Sequence, residues 1–200
     1  MMVLLPRIKS QFSILYNMKQ IVIAFAALSV AVSAFAQGNV NFSNRTGPID
    51  APVTYLGGAR VTGTGDNAVW GQLMASAPGG TLASVGVPVP FREGAGAGYI
   101  TGGGAITIPG VAGGSPAAVQ MVAWYASQGA TYADAVSKDL GGYGASAVFN
   151  VVTGGAGSPP SLPANLVGLS GFSVSAIIPE PSIAALGLLG AGLLLIRRKK

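Results

Sequence analysis

Glycine limits this chain more than any other residue. Three of its 31 glycines, Gly187, Gly190 and Gly192, sit in the last apolar run, and the other 28 lie between Gln37 and Ile177. Each glycine in a helix interior costs about 1 kcal/mol relative to alanine, so long helices are excluded from most of that stretch. Short runs rich in β-branched and aromatic residues stand between the glycines, at 40–42, 53–56, 69–75, 81–85, 105–108, 119–126, 147–152 and 172–176. Such spacing predicts a mainly β domain, an antiparallel β-sandwich of jelly-roll or Ig-like type. Gln120 is a rare polar residue in the run from Val119 to Tyr125, which marks a central strand covered on both faces. Pro52, Pro88, Pro90 and Pro109 suit strand ends or sheet edges, where a missing N–H does no harm.

One short helix interrupts the β pattern. Thr131-Tyr132-Ala133-Asp134 reads as a capping box with Asp in place of Glu, and Gly141-Gly142 as its C-cap. Tyr132, Ala135 and Val136 would share its buried face, and the Asp134–Lys138 spacing is worth about 0.3 kcal/mol.

The charges are segregated. Of 11 basic residues, Arg7, Lys9 and Lys19 precede the first apolar run, and Arg197, Arg198, Lys199 and Lys200 follow the last. Only Arg45, Arg60, Arg92 and Lys138 lie between, against Asp50, Asp66, Glu93, Asp134 and Asp139. Nucleic-acid binding needs several cations clustered on one folded face, so it is not expected. The chain has no cysteine, which removes disulfides and thiolate chemistry, and no histidine, which removes the commonest catalytic base and metal ligand.

Both ends read as membrane-directed segments. Met18-Lys19 leads into an apolar run at 21–32 and then Ser33-Ala34-Phe35-Ala36, the pattern of a secretory signal peptide cut by signal peptidase between Ala36 and Gln37. Twelve helical residues span about 18 Å, short of a bilayer core near 30 Å. The long charged stretch before Met18 suggests that translation starts there. At the other end Pro179-Glu180-Pro181 keeps the chain extended before the apolar run 183–196 and the terminal Arg197-Arg198-Lys199-Lys200 cluster. Fourteen helical residues reach about 21 Å, a marginal span suited to transient insertion, with the basic cluster on the cytoplasmic side. The expected division is a signal peptide at 1–36, an exported β-rich domain at 37–176 and a sorting and anchor segment at 177–200.

Those C-terminal features, in that order, resemble the PEP-CTERM sorting signal of bacteria, with Ile178 where valine is more usual. The resemblance implies recognition by exosortase, processing near Pro179-Glu180-Pro181, delivery to the cell surface or extracellular matrix, and association with exopolysaccharide. The core is similar to other exported PEP-CTERM proteins at 41–45, 90–94, 124–132 and 163–169, which implies one exported domain and no particular activity.

Specific chemistry is thinly marked. Gly63-Thr64-Gly65-Asp66-Asn67-Ala68 matches a G-x-G-x-x-A pattern, but a strand pattern follows it, so a turn is expected rather than a nucleotide cradle. The alternation Gly94-Ala95-Gly96-Ala97-Gly98 suggests a flexible loop. A glycosidase pair would have to come from the five core carboxylates, whose spacing singles out no two, and a Ser–Lys dyad would need Lys138 on an exposed helix face. No catalytic residue, metal ligand or cofactor is therefore assigned. Aromatic rings offer apolar faces to sugars, and Tyr99 and Tyr143, each among glycines, are the expected exposed candidates, whereas Trp124 is expected in the core. The sequence thus points to a surface or matrix structural protein, with a carbohydrate-binding module as the alternative and a glycoside-active enzyme behind both.

Overall fold

The computed structural model describes residues 37–100, 102–155 and 161–178. The signal helix expected within 1–36 and the hydrophobic helix expected beyond Ile178 lie outside them. In chain order the strands are β1 (Gln37–Asn41), β2 (Arg45–Thr46), β3 (Ile49–Asp50), β4 (Val53–Tyr55), β5 (Val69–Ser76) and β6 (Ala83–Pro90). Then come β7 (Ala105–Ala112), β8 (Pro116–Tyr125), the helix α1 (Tyr132–Lys138), β9 (Tyr143–Ala145), β10 (Phe149–Val152), β11 (Ala164–Asn165) and β12 (Phe172–Val174). Each of the eight predicted runs overlaps a strand, though β6, β7 and β8 extend beyond their runs. The short β2, β3, β9 and β11 carry too few apolar residues to announce themselves.

Strand β8 is the spine of the larger, five-stranded sheet, in which β10, β8, β5 and β6 are neighbours and β9 also pairs with β8. Its side chains alternate as a pleated strand requires. Val119, Met121, Ala123 and Tyr125 join the main apolar core, while Val122 and Trp124 join a second cluster on the opposite face. Cover on both faces is what the sequence of this run implies. The three-stranded sheet β11-β1-β7 contributes Val40, Ile106, Ile108 and Val111 to the same main core as Leu73, Val85 and Met121 of the larger sheet.

The described residues are mainly β with several sheets and one α-helix, but their pairing is not purely antiparallel. Strands β1 and β11 run parallel, as do β4 and β12, because the C-terminal third of the chain returns along strands laid down at the start. Proline sits where expected: Pro88 and Pro90 lie in β6 and Pro109 in β7, each an edge strand of its sheet. Opposite Gln72, the β5–β6 register jumps from Gly71–Val89 to Leu73–Val85. Gly86, at φ +67°, makes this bulge possible, and Gln72 Nε2 donates to the Gly86 carbonyl at 3.0 Å.

Helix α1 begins with the predicted capping box. Asp134 N–H donates to Thr131 Oγ1 at 3.1 Å and Thr131 N–H donates to Asp134 Oδ2 at 3.0 Å. Its end differs from expectation: the C-cap is Asp139, in the left-handed region at φ 53°, rather than Gly141-Gly142. Those glycines instead carry the chain past Ala176, whose carbonyl leaves no room for a Cβ at Gly141. Ala135 is buried as predicted, but Val136 is 39% exposed, since a two-turn helix can turn only one narrow stripe to the sheet. Among the described residues no helix is long and apolar enough to cross a membrane.

Candidate functional site

Two polar and aromatic constellations stand out. The first grows from the segment 41–45. Asn44 is fully buried, and its Nδ2 donates to the carbonyls of Ala51 at 2.8 Å and Gly98 at 2.9 Å. Its Oδ1 accepts the Ile100 N–H at 2.6 Å. A single amide thereby fixes the chain on both sides of Tyr99. The Tyr99 hydroxyl donates to Asp50 Oδ1 at 2.5 Å, and the guanidinium carbons of Arg45 and Arg60 each lie 4.8 Å from the ring centroid. The hydrogen bond to Asp50 raises the phenol above its ordinary pKa, burial and the Asp50 charge add to this, and Arg60 and Arg45 oppose it.

This overturns the expectation that Tyr99 is an exposed sugar platform. It is 2% exposed, with two cations over its ring, so no ring face is open to a pyranose. The neighbouring glycines misled the sequence reading because they are close-approach residues: a Cβ on Gly98 would press on the Val53 carbonyl at 2.8 Å and on Arg60. Likewise the 94–98 stretch is a 3₁₀ turn at Gly94–Gly96 running into the buried Gly98, not a free loop.

The second constellation lies on the outer face of the larger sheet. Tyr143 is half-buried, and its ring meets Tyr132 edge-on at 6.0 Å and 89°. Tyr132 in turn meets Trp124 edge-on at 6.2 Å and 64°, and burial followed by the Tyr143 charge raises the Tyr132 pKa. Trp124 is fully buried, as expected, and its Nε1–H donates to the Gly129 carbonyl at 3.0 Å. Trp70 packs against this cluster but stays half-buried.

The remaining candidates hold the fold. Gly63 N–H donates to Glu93 Oε1 at 2.9 Å, and Tyr55 Oη–H donates to the Asn67 carbonyl at 3.0 Å, so the G-x-G-x-x-A segment is a fastened turn leading into β5. Tyr55 also stacks on Tyr125 at 5.8 Å, and burial raises the Tyr125 pKa. Asp134 is taken by the helix cap, and Lys138 is exposed on α1. Among the described residues no three His, Cys, Asp or Glu side chains form a group that could hold a metal ion.

Of the sorting residues, Ala34, Ala36, Pro179, Glu180, Pro181, Arg197, Arg198, Lys199 and Lys200 lie outside the described residues. Gln37 opens β1 opposite Ala112. At the other end Ile177 bridges to Gly141, and Ile178 N–H donates to the Leu140 carbonyl at 2.7 Å. A scan of family models finds no match to this chain, and searches of curated proteins and of solved structures find none either.

Proposed function

We propose that this chain is an exported structural protein of the cell surface or extracellular matrix, delivered by a signal peptide and an exosortase-read C-terminal segment and associated with exopolysaccharide. Its working part is the β domain, with the two larger sheets facing each other as a sandwich. The observation that carries this reading is the arrangement of the two ends: each has a short apolar run with cations beside it, around a middle whose four cations and five carboxylates nearly cancel. The use of polar side chains inside the domain is consistent with a structural role, since Asn44, Tyr99, Glu93 and Asp134 are each engaged in holding backbone or a neighbouring side chain.

Fractionation of the producing cells tests it, with N- and C-terminal peptide mapping of the recovered protein. The expected result is a surface or matrix form beginning at Gln37 and lacking the basic C-terminus, and accumulation of the uncut form in the inner membrane when Pro179-Glu180-Pro181 is replaced by alanines. Recovery of the intact chain from the cytosol would sink the reading.

A further inference from the structure

The outer face of the five-stranded sheet is ordered into rows by strand register. Tyr143, Trp124, Trp70 and Pro90 stand side by side across β9, β8, β5 and β6. Beneath them run Ala145, Val122 and Gln72, and then Gln120, Met74 and Ser84. With neighbouring strands about 4.8 Å apart, the first row is a strip roughly 14 Å long. None of these positions holds a charged residue.

Within the strip Trp70 and Tyr143 are both half-buried. Trp124 is sealed beneath α1, and the Tyr132 and Tyr143 rings meet edge-on to form a wall at one end. Trp70 is seated against Val122 and Trp124, yet part of its indole reaches solvent. Two amides on the same face are already oriented. Gln72 is 6% exposed and held through Nε2 on the Gly86 carbonyl at 3.0 Å, and Gln120 is half-buried and held through Nε2 on the Ser146 carbonyl at 2.8 Å. Each amide keeps an oxygen and a second N–H for another partner.

An apolar ring and fixed neutral amides in uncharged rows match the chemistry of a pyranose, which has a C–H face and a rim of hydroxyls. We propose that this face binds a neutral polysaccharide chain, one sugar stacked on Trp70 beside Gln72 and a later sugar of the same chain meeting Gln120 two rows along. An acidic glycan would find no cation in these rows. A purely apolar partner would leave the two amides unpaired, at the cost of burying polar groups without hydrogen bonds. The inference rests on the exported reading only for its biological setting. Binding is read on purified protein, so a failure of delivery and a failure of binding are separate results.

The test titrates the purified full chain with cellohexaose and mannohexaose as neutral probes and with a galacturonic acid hexamer as the acidic probe, read by tryptophan fluorescence and calorimetry. A neutral hexamer is expected to shift the emission and to bind at least tenfold more tightly than the acidic one. Trp70→Ala should weaken that binding at least tenfold and Trp70→Tyr less, and Gln120→Ala should weaken it severalfold while Tyr99→Phe leaves it unchanged. Circular dichroism checks folding, and if Trp70→Ala does not fold, Trp70→Tyr and Gln120→Ala carry the test. Absence of binding to both neutral hexamers, an unchanged affinity in folded Trp70 and Gln120 variants, or preference for the acidic hexamer would overturn the proposal.

Discussion

The Tyr99 hydroxyl donates a hydrogen bond to Asp50 from beneath two arginines, so a buried phenol, a carboxylate and two cations share one cluster. The phenol is an internal tie made by its O–H. An unfolded tyrosine titrates near its ordinary value of 10.0, and Tyr99 is raised above it. As pH climbs past that value the unfolded chain loses the proton first. The contribution is therefore fully present below about pH 10 and is lost as pH rises through the folded-state value. Tyr125 and Tyr132, raised chiefly by burial, add to the same slope. Denaturant titrations at about pH 8 and about pH 11 should show a marked alkaline loss that is smaller, but not absent, in Tyr99→Phe.

Asn44→Leu should be among the most damaging single changes in the domain. It removes both carbonyl bonds and the Ile100 N–H acceptor together, leaving the Ala51 carbonyl and the Ile100 N–H unpaired, while the Gly98 carbonyl still accepts from the Val53 N–H. At about 1–3 kcal/mol for each unsatisfied group, with partial relaxation, a loss of about 3 kcal/mol is expected. A lower urea midpoint at an unchanged slope would bear this out, and a loss under 1 kcal/mol would contradict it.

Asn44 also shows what was legible in the sequence and what was not. Strand runs could be read because period and composition are local properties, and the Thr131–Asp134 box because its partners are three residues apart. The Asn44 bracket joins positions more than 50 residues apart through one amide, and no local pattern encodes that. The same holds for Trp70, whose place beside Trp124 follows from the β5–β8 register. Tyr99 was misjudged because glycine neighbours suggest exposure equally well whether they serve a loose loop or a tight crossing.

Gly144→Ala tests such a crossing. A Cβ there would run into the Ser173 carbonyl, which belongs to backbone and cannot swing away. Strand β12 must then shift from β9, at an expected cost of about 1–3 kcal/mol. Hydrogen exchange should show lost protection first at Ser175, whose N–H is held by the Tyr143 carbonyl at 3.0 Å.

Thr131→Ala deletes the helix cap and should cost about 1 kcal/mol, whereas Thr131→Ser should be nearly silent. Because α1 lies over Trp124, the readout is optical as well as thermodynamic: loosening the helix should move the Trp124 emission to longer wavelength. An unchanged spectrum alongside the stability loss would mean that the lid stays shut without its cap.

The fastening of Ile178 to Leu140 sets the geometry in which the C-terminal motif would be handled. Pro179 is the next residue along, so no slack intervenes between the last pinned peptide and the Pro-Glu-Pro sequence. On the proposed reading, an enzyme acting at the motif would work next to two residues pinned to the domain, or would first peel Ile177 and Ile178 away. The pace of release would then depend on how easily two residues unzip from Leu140 and Gly141, and the C-terminal seam would act as a clasp.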